Sequence, residues 1–181
     1  MSTSTPKRRA LIVSVATALT ALAIVGPSSI ASAGDVSACA ATDLSARVTG
    51  TGAGVSQPAV YITVTNTSSA PCAVRGYPVI TRAATRTGPK AISVTNGAVM
   101  NAPQARVKRI VISPNGHAWF AVGAATAYDT RPVTFTRIRF ATAAGGPTRG
   151  VRVSLQASRP TGQPYPMGVT AFMPGIGRTE S

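Results

Sequence analysis

The stretch Pro58 to Pro78, "PAVYITVTNTSSAPCAVRGYP", decides the fold class. Its first half alternates, with Val60, Ile62 and Val64 on one side and Tyr61, Thr63 and Thr65 on the other. That is the two-residue period of a half-buried β-strand, carried by β-branched and aromatic residues that favour one. Asn66, Thr67 and Ser68 follow; their short polar side chains bond nearby backbone and end the strand. Pro71 stiffens the approach to Cys72, and Gly76 permits a turn before Pro78. Tyr77 is expected to bury its ring and to place its hydroxyl on a backbone partner.

The same pattern extends in both directions. "DLSARVT" aligns Leu44, Ala46 and Val48 on one face, and "YPVITRAAT", "KAISVT", "RVKRIVIS", "HAWFAVGA", "PVTFTRIRFA" and "GVRVSLQ" follow. Between them lie turn formers: "SPNGH" at Ser113 to His117, Asn96-Gly97, and "AGGPTRG" at Ala144 to Gly150. No segment after residue 33 carries a helical stripe of ten or more residues. The expectation is an all-β, antiparallel immunoglobulin-like β-sandwich of about seven or eight strands with one disulfide. It should span residues 34–156, followed in 157–181 by a Pro- and Gly-rich segment holding one edge strand and a loose tail.

Two strands break parity. Val133 and Phe135 cannot share a face with Ile138 and Phe140 in a regular strand, so a β-bulge near Thr136, or a crossing between sheets, is required. "RVKRIVIS" slips in the same way.

The chain opens with Lys7, Arg8 and Arg9, an apolar stretch from Ala10 to Val25, the breakers Gly26 and Pro27, and small residues at Ala31-Ser32-Ala33. That order reads as a secretory signal peptide over residues 1–33, cleaved before Gly34, and predicts a secreted, extracellular or cell-wall-associated protein. In such a compartment two cysteines form a disulfide, Cys39–Cys72. Val36-Ser37-Ala38-Cys39 also has the form of a lipid-attachment signal, an alternative that anchors Cys39 and leaves Cys72 unpaired.

"CAATDLSARVTG", "ITVTNTSSAPCAVRGYPVI" and "VISPNGHAWFAV" together resemble the domain-of-unknown-function family 4232 of exported actinobacterial proteins. The matching positions include Cys39, Leu44, Asn66, Pro71, Cys72, Gly76, Tyr77 and Pro78. The resemblance covers roughly Cys39 to Leu155. It implies a secreted or lipid-anchored β-sandwich without an established activity. Members carrying a second cysteine pair have it in the C-terminal half, where this chain has none. Asn66-Thr67-Ser68 also matches an N-glycosylation acceptor.

Four acidic residues and one histidine leave little for catalysis. His117 reads as a strand-start residue beside a turn, and a pairing with Asp129 would lack a nucleophile. No hydrolase elbow, phosphate loop or zinc motif is present, so the expectation is a protein that is not an enzyme and that uses no cofactor and no metal. Trp119 reads as a core aromatic. Without the leader's three basic residues, 15 remain against four acids, a charge of about +11. Such a charge attracts polyanions. Arg137 and Arg139 share a strand face, as Arg106 and Lys108 would on a regular strand, with Arg109 beside them. If those strands are neighbours, the five make one basic patch for an anionic cell-wall polymer or lipid headgroups. Tyr61 is the one outward aromatic for stacking, too few for dedicated nucleic-acid binding. The alternative is a ligand- or protein-recognition module that uses the loops of the scaffold.

Overall fold

The computed structural model describes residues 36–177, other than 53, 55, 101, 104, 105 and 129. The expected signal peptide over residues 1–33, Asp129 and the last four residues therefore lie outside the described residues. A short 3-10 turn, Ala41–Asp43, precedes twelve strands: β1 (Leu44–Gly52), β2 (Ala59–Asn66), β3 (Cys72–Arg75), β4 (Val79–Thr85), β5 (Gly88–Lys90), β6 (Ile92–Asn96), β7 (Arg109–Ile112), β8 (His117–Ala124), β9 (Val133–Ala141), β10 (Thr148–Ala157), β11 (Tyr165–Val169) and β12 (Met173–Pro174). The count exceeds seven or eight because short strands finish the sheets. One sheet runs β1-β2-β8-β11-β6, with β12 also pairing β8; a second runs β10-β9-β4-β5; β3 and β7 pair separately.

The two larger sheets face each other across one core. Phe120 of β8 meets Phe140 of β9 edge-on at 5.0 Å between ring centres, and Phe135 meets Tyr165 at 5.4 Å. Val60, Ile62 and Val64 join that core from β2, as the alternation predicted, while Cys72, Val74, Ile110 and Ile112 close one end. Pairing is antiparallel throughout the named strands except between β11 and β6.

The expected bulge is present. Arg152 lies opposite Arg137 but Leu155 lies opposite Phe135, so Val153 and Ser154 share Thr136. The slip expected in "RVKRIVIS" is absent. The strand starts only at Arg109, after which Ile110 and Ile112 point inward and Val111 outward, while Val107 is exposed ahead of it.

The described residues after Ala157 depart from the expectation of an edge strand. β11 lies inside the sheet, between β8 and β6, and carries Met167 and Val169 into the core. Close packing explains its sequence: a Cβ on Gly168 would sit 1.8 Å from the carbonyl oxygen of Ala98, so only glycine fits. The chain then folds back over the outer face of the β2–β8 pair. The Gly177 amide donates to Thr63 Oγ1 at 3.1 Å, and Gly177 packs against the Trp119 ring. Val99 covers the same face.

That cover corrects two expectations. Tyr61 is 4 % exposed and Thr63 fully buried, so Tyr61 offers no stacking surface. Trp119 is half-buried on this outer face, 5.6 Å from the Tyr61 ring, and is not part of the core between the sheets. Period-two alternation placed these residues correctly on the second face. It could not say that a remote segment would cover that face.

Cys39 and Cys72 are disulfide-bonded with their Cα atoms 4.8 Å apart. The bond consumes the Cys39 sulfur, so the lipid-attachment reading loses its acceptor. Asn66 is the other anchor of the stretch. Its Nδ2 donates to the carbonyls of Ala70 at 2.8 Å and Ile112 at 3.0 Å, and its Oδ1 accepts from the backbone and hydroxyl of Ser68. Both amide hydrogens are thus spent inside a fully buried residue, which excludes a glycan at this position. Replacing Asn66 by alanine strands these carbonyls and is expected to cost about 2–3 kcal/mol, read as a lower urea midpoint.

Of the remaining motif residues, Gly76 has φ +80° and accepts from the Phe172 amide at 2.8 Å, while Pro78 is buried and Pro71 exposed. Tyr77 packs its half-buried ring against the core. Its hydroxyl makes no hydrogen bond among the described residues, contrary to the expectation. In the 113–117 turn the positive φ falls on Asn115, at 60°, rather than on Gly116. Gly116 is needed because a Cβ there would lie 2.9 Å from the Ser113 carbonyl.

Candidate basic face

With the outer face of the β2–β8 pair covered by its own chain, the four-stranded sheet presents an open face. Along β9 the core takes Phe135, Ile138 and Phe140, which leaves Arg137 and Arg139 exposed on the opposite side. Register supplies their neighbours. Arg82 of β4 lies opposite Arg139, and Arg152 of β10 lies opposite Arg137. Strands ~4.8 Å apart, with ~7 Å between alternate residues, place the four arginines on a diagonal roughly 12 Å long. Arg82, Ala84, Arg137 and Arg139 line a shallow depression of about 240 Å³.

Like charges directly opposite each other weaken an antiparallel pair. Here two such pairs stand side by side, and none of the chain's four acids (Asp35, Asp43, Asp129 and Glu180) lies in β4, β9 or β10. The strands therefore carry a charge that they do not neutralise themselves. Guanidinium groups in this array suit planar, two-point pairing with phosphate or carboxylate.

The structure separates the five cations expected to form one patch. Arg106 and Lys108 are exposed but precede β7 rather than standing on it, and β7 pairs only with β3. Arg109 lies opposite Arg75 and donates to the carbonyl of Val36. Arg109 thus groups with Arg75 beside the disulfide, while Arg137 and Arg139 group with Arg82 and Arg152. The last two could not be found from spacing alone, because only register places them opposite the β9 pair.

At the β4–β5 end of the same sheet lies a cleft of about 640 Å³, whose lining includes Thr85, Lys90, Val133, Thr134, Thr136 and Ser154. Sequence reasoning missed it entirely. His117, by contrast, opens β8 and shares a hydrogen bond between its Nδ1 and Thr65 Oγ1 at 2.9 Å. Among the described residues no three His, Cys, Asp or Glu side chains are grouped to hold a metal.

A family model described as Domain of unknown function (DUF4232) matches residues 39–172, which carries the resemblance past Leu155 and through β11. No curated protein matches, and no solved structure does.

Proposed function

The chain belongs to this family of domains of unknown function, and we propose that it is a non-catalytic, exported cell-envelope protein whose basic face associates with anionic envelope polymers. The observation that carries this reading is the arginine quartet Arg82, Arg137, Arg139 and Arg152, set in two opposed like-charge pairs on an open sheet face. A bound polyanion relieves the repulsion within each pair and gains several contacts at once. Export accords with the apolar leader and with a disulfide, which forms and persists in oxidising compartments.

The test is co-sedimentation of the purified, oxidised protein with cell-wall sacculi over a salt series. Binding at low ionic strength should fall steeply as salt screens exposed charges. Changing both Arg137 and Arg139 to serine should weaken it by about two- to thirtyfold, from two exposed ion pairs of ~0.2–1 kcal/mol each. Absence of binding at the lowest salt overturns the proposal. Binding that survives high salt points instead to a shape-specific partner at the loops.

A further inference from the structure

We propose that the basic face takes an anionic polymer whose charged groups are separated by hydroxyl-bearing sugar or polyol units. Such a polymer lies lengthwise along β9, with its charges on the arginine quartet and one hydroxylated unit in the cleft. This rests on the polyanion reading above and adds to it the chemistry between the charges.

The strand itself orders the two halves of the site. β9 passes Arg139, Arg137, Thr136, Thr134 and Val133 in turn, roughly 20 Å from end to end at ~3.4 Å per residue. The first pair lies with the arginines, and the last three line the cleft. The bulge stands at the junction, where Val153 and Ser154 share Thr136. Bulges re-aim side chains and commonly sit beside binding sites.

The lining fits a hydroxylated unit better than a bare anion. A volume of about 640 Å³ is far more than one phosphate needs and lies in the range of small-ligand sites. The hydroxyl groups of Thr134 and Ser154 are exposed, and neither makes a hydrogen bond among the described residues. The Thr136 hydroxyl donates only at 3.4 Å, to the Ala84 carbonyl. Val133 and Val153, both half-buried, offer apolar surface for C–H groups, and Lys90 and Arg86 add positive charge to the lining. No aromatic residue lines the cleft, so a nucleobase has nothing to stack on.

Titration of the purified, oxidised protein at low salt tests this with four probes of matched charge number: poly(glycerol phosphate), polygalacturonate, inorganic polyphosphate and oligothymidylate. At least one of the first two should bind about tenfold tighter than polyphosphate, as expected for two added hydrogen bonds; which one does so identifies the anion as phosphate or carboxylate. Replacing Thr134 by valine and Ser154 by alanine together should erase that preference and leave polyphosphate binding unchanged, which also shows that the variant is folded. The R137S/R139S variant should weaken all of the probes that bind. Equal binding of all the probes, a preference that survives the cleft substitutions, or oligothymidylate binding tightest each overturns the inference while leaving the polyanion reading intact. If no probe binds, that underlying reading falls with it.

Discussion

Replacing Phe120 by alanine is expected to lower the unfolding free energy by about 3–5 kcal/mol, the usual range for emptying a fully buried aromatic site. Phe120 is fully buried at the middle of β8 and touches Phe140 at 5.0 Å and Phe172 at 5.4 Å, both nearly edge-on. Those two rings come from the opposite sheet and from the returning C-terminal segment, so one side chain joins three parts of the fold. Removing it leaves a cavity that strands paired on both sides cannot close by moving. A domain of this size has ~5–15 kcal/mol in all, so the variant should unfold at a much lower urea concentration. Phe120→Leu, which keeps most of the volume, should cost much less. A loss under about 1 kcal/mol for the alanine variant would show that the sheets do not meet at this ring.

The second large effect is expected from the disulfide. Cys39 and Cys72 enclose a separation of 33 residues, for which the chain-entropy model gives roughly 3–4 kcal/mol. The bond also holds a small assembly in place. The Cys39 amide donates to the Ala73 carbonyl at 2.9 Å, the Ala73 amide donates to the Ser37 carbonyl at 2.8 Å, and Thr142 Oγ1 donates to the Cys39 carbonyl at 2.6 Å. Changing both cysteines to serine should lower the melting temperature by about 10 °C. The denaturant slope should rise as well, because an uncrosslinked chain exposes more surface when unfolded. A fall in stability with an unchanged slope would place the effect in the native state, in the packing around Cys39, rather than in the freedom of the unfolded chain.

Much of the fold was legible in local sequence because its signals are local. Alternation in "PAVYITV" assigned Val60, Ile62 and Val64 to the core through a period of two, a property of any extended backbone. The parity break between Phe135 and Ile138 required a bulge or a crossing between sheets before any partner strand was known, and register then showed the bulge. Asn66 announced the end of β2, and two cysteines in a chain read as exported announced a disulfide.

Other features depend on contacts between distant residues. Tyr61 and Thr63 sit on the second face of β2 as alternation demands, but their burial depends on Val99 and Gly177, remote segments with no signature at positions 61 or 63. The Pro- and Gly-rich segment after residue 156 reads as holding an edge strand, because Pro and Gly punctuate it. Its strand β11 lies inside the sheet because β6 and β8 accept it on either side, with Gly168 against Ala98.

The basic face divides in the same way. The sequence by itself determined that Arg137 and Arg139 share the solvent side of one strand, that the chain is strongly cationic, and that too few acids exist to neutralise it. Only the tertiary structure decided that Arg82 and Arg152 stand opposite them, that Arg106, Lys108 and Arg109 belong elsewhere, and that a hydroxyl-lined cleft continues the array. The reason is register: one residue of slip between strands turns a side chain from solvent to core, and that slip is set by packing across the whole sandwich.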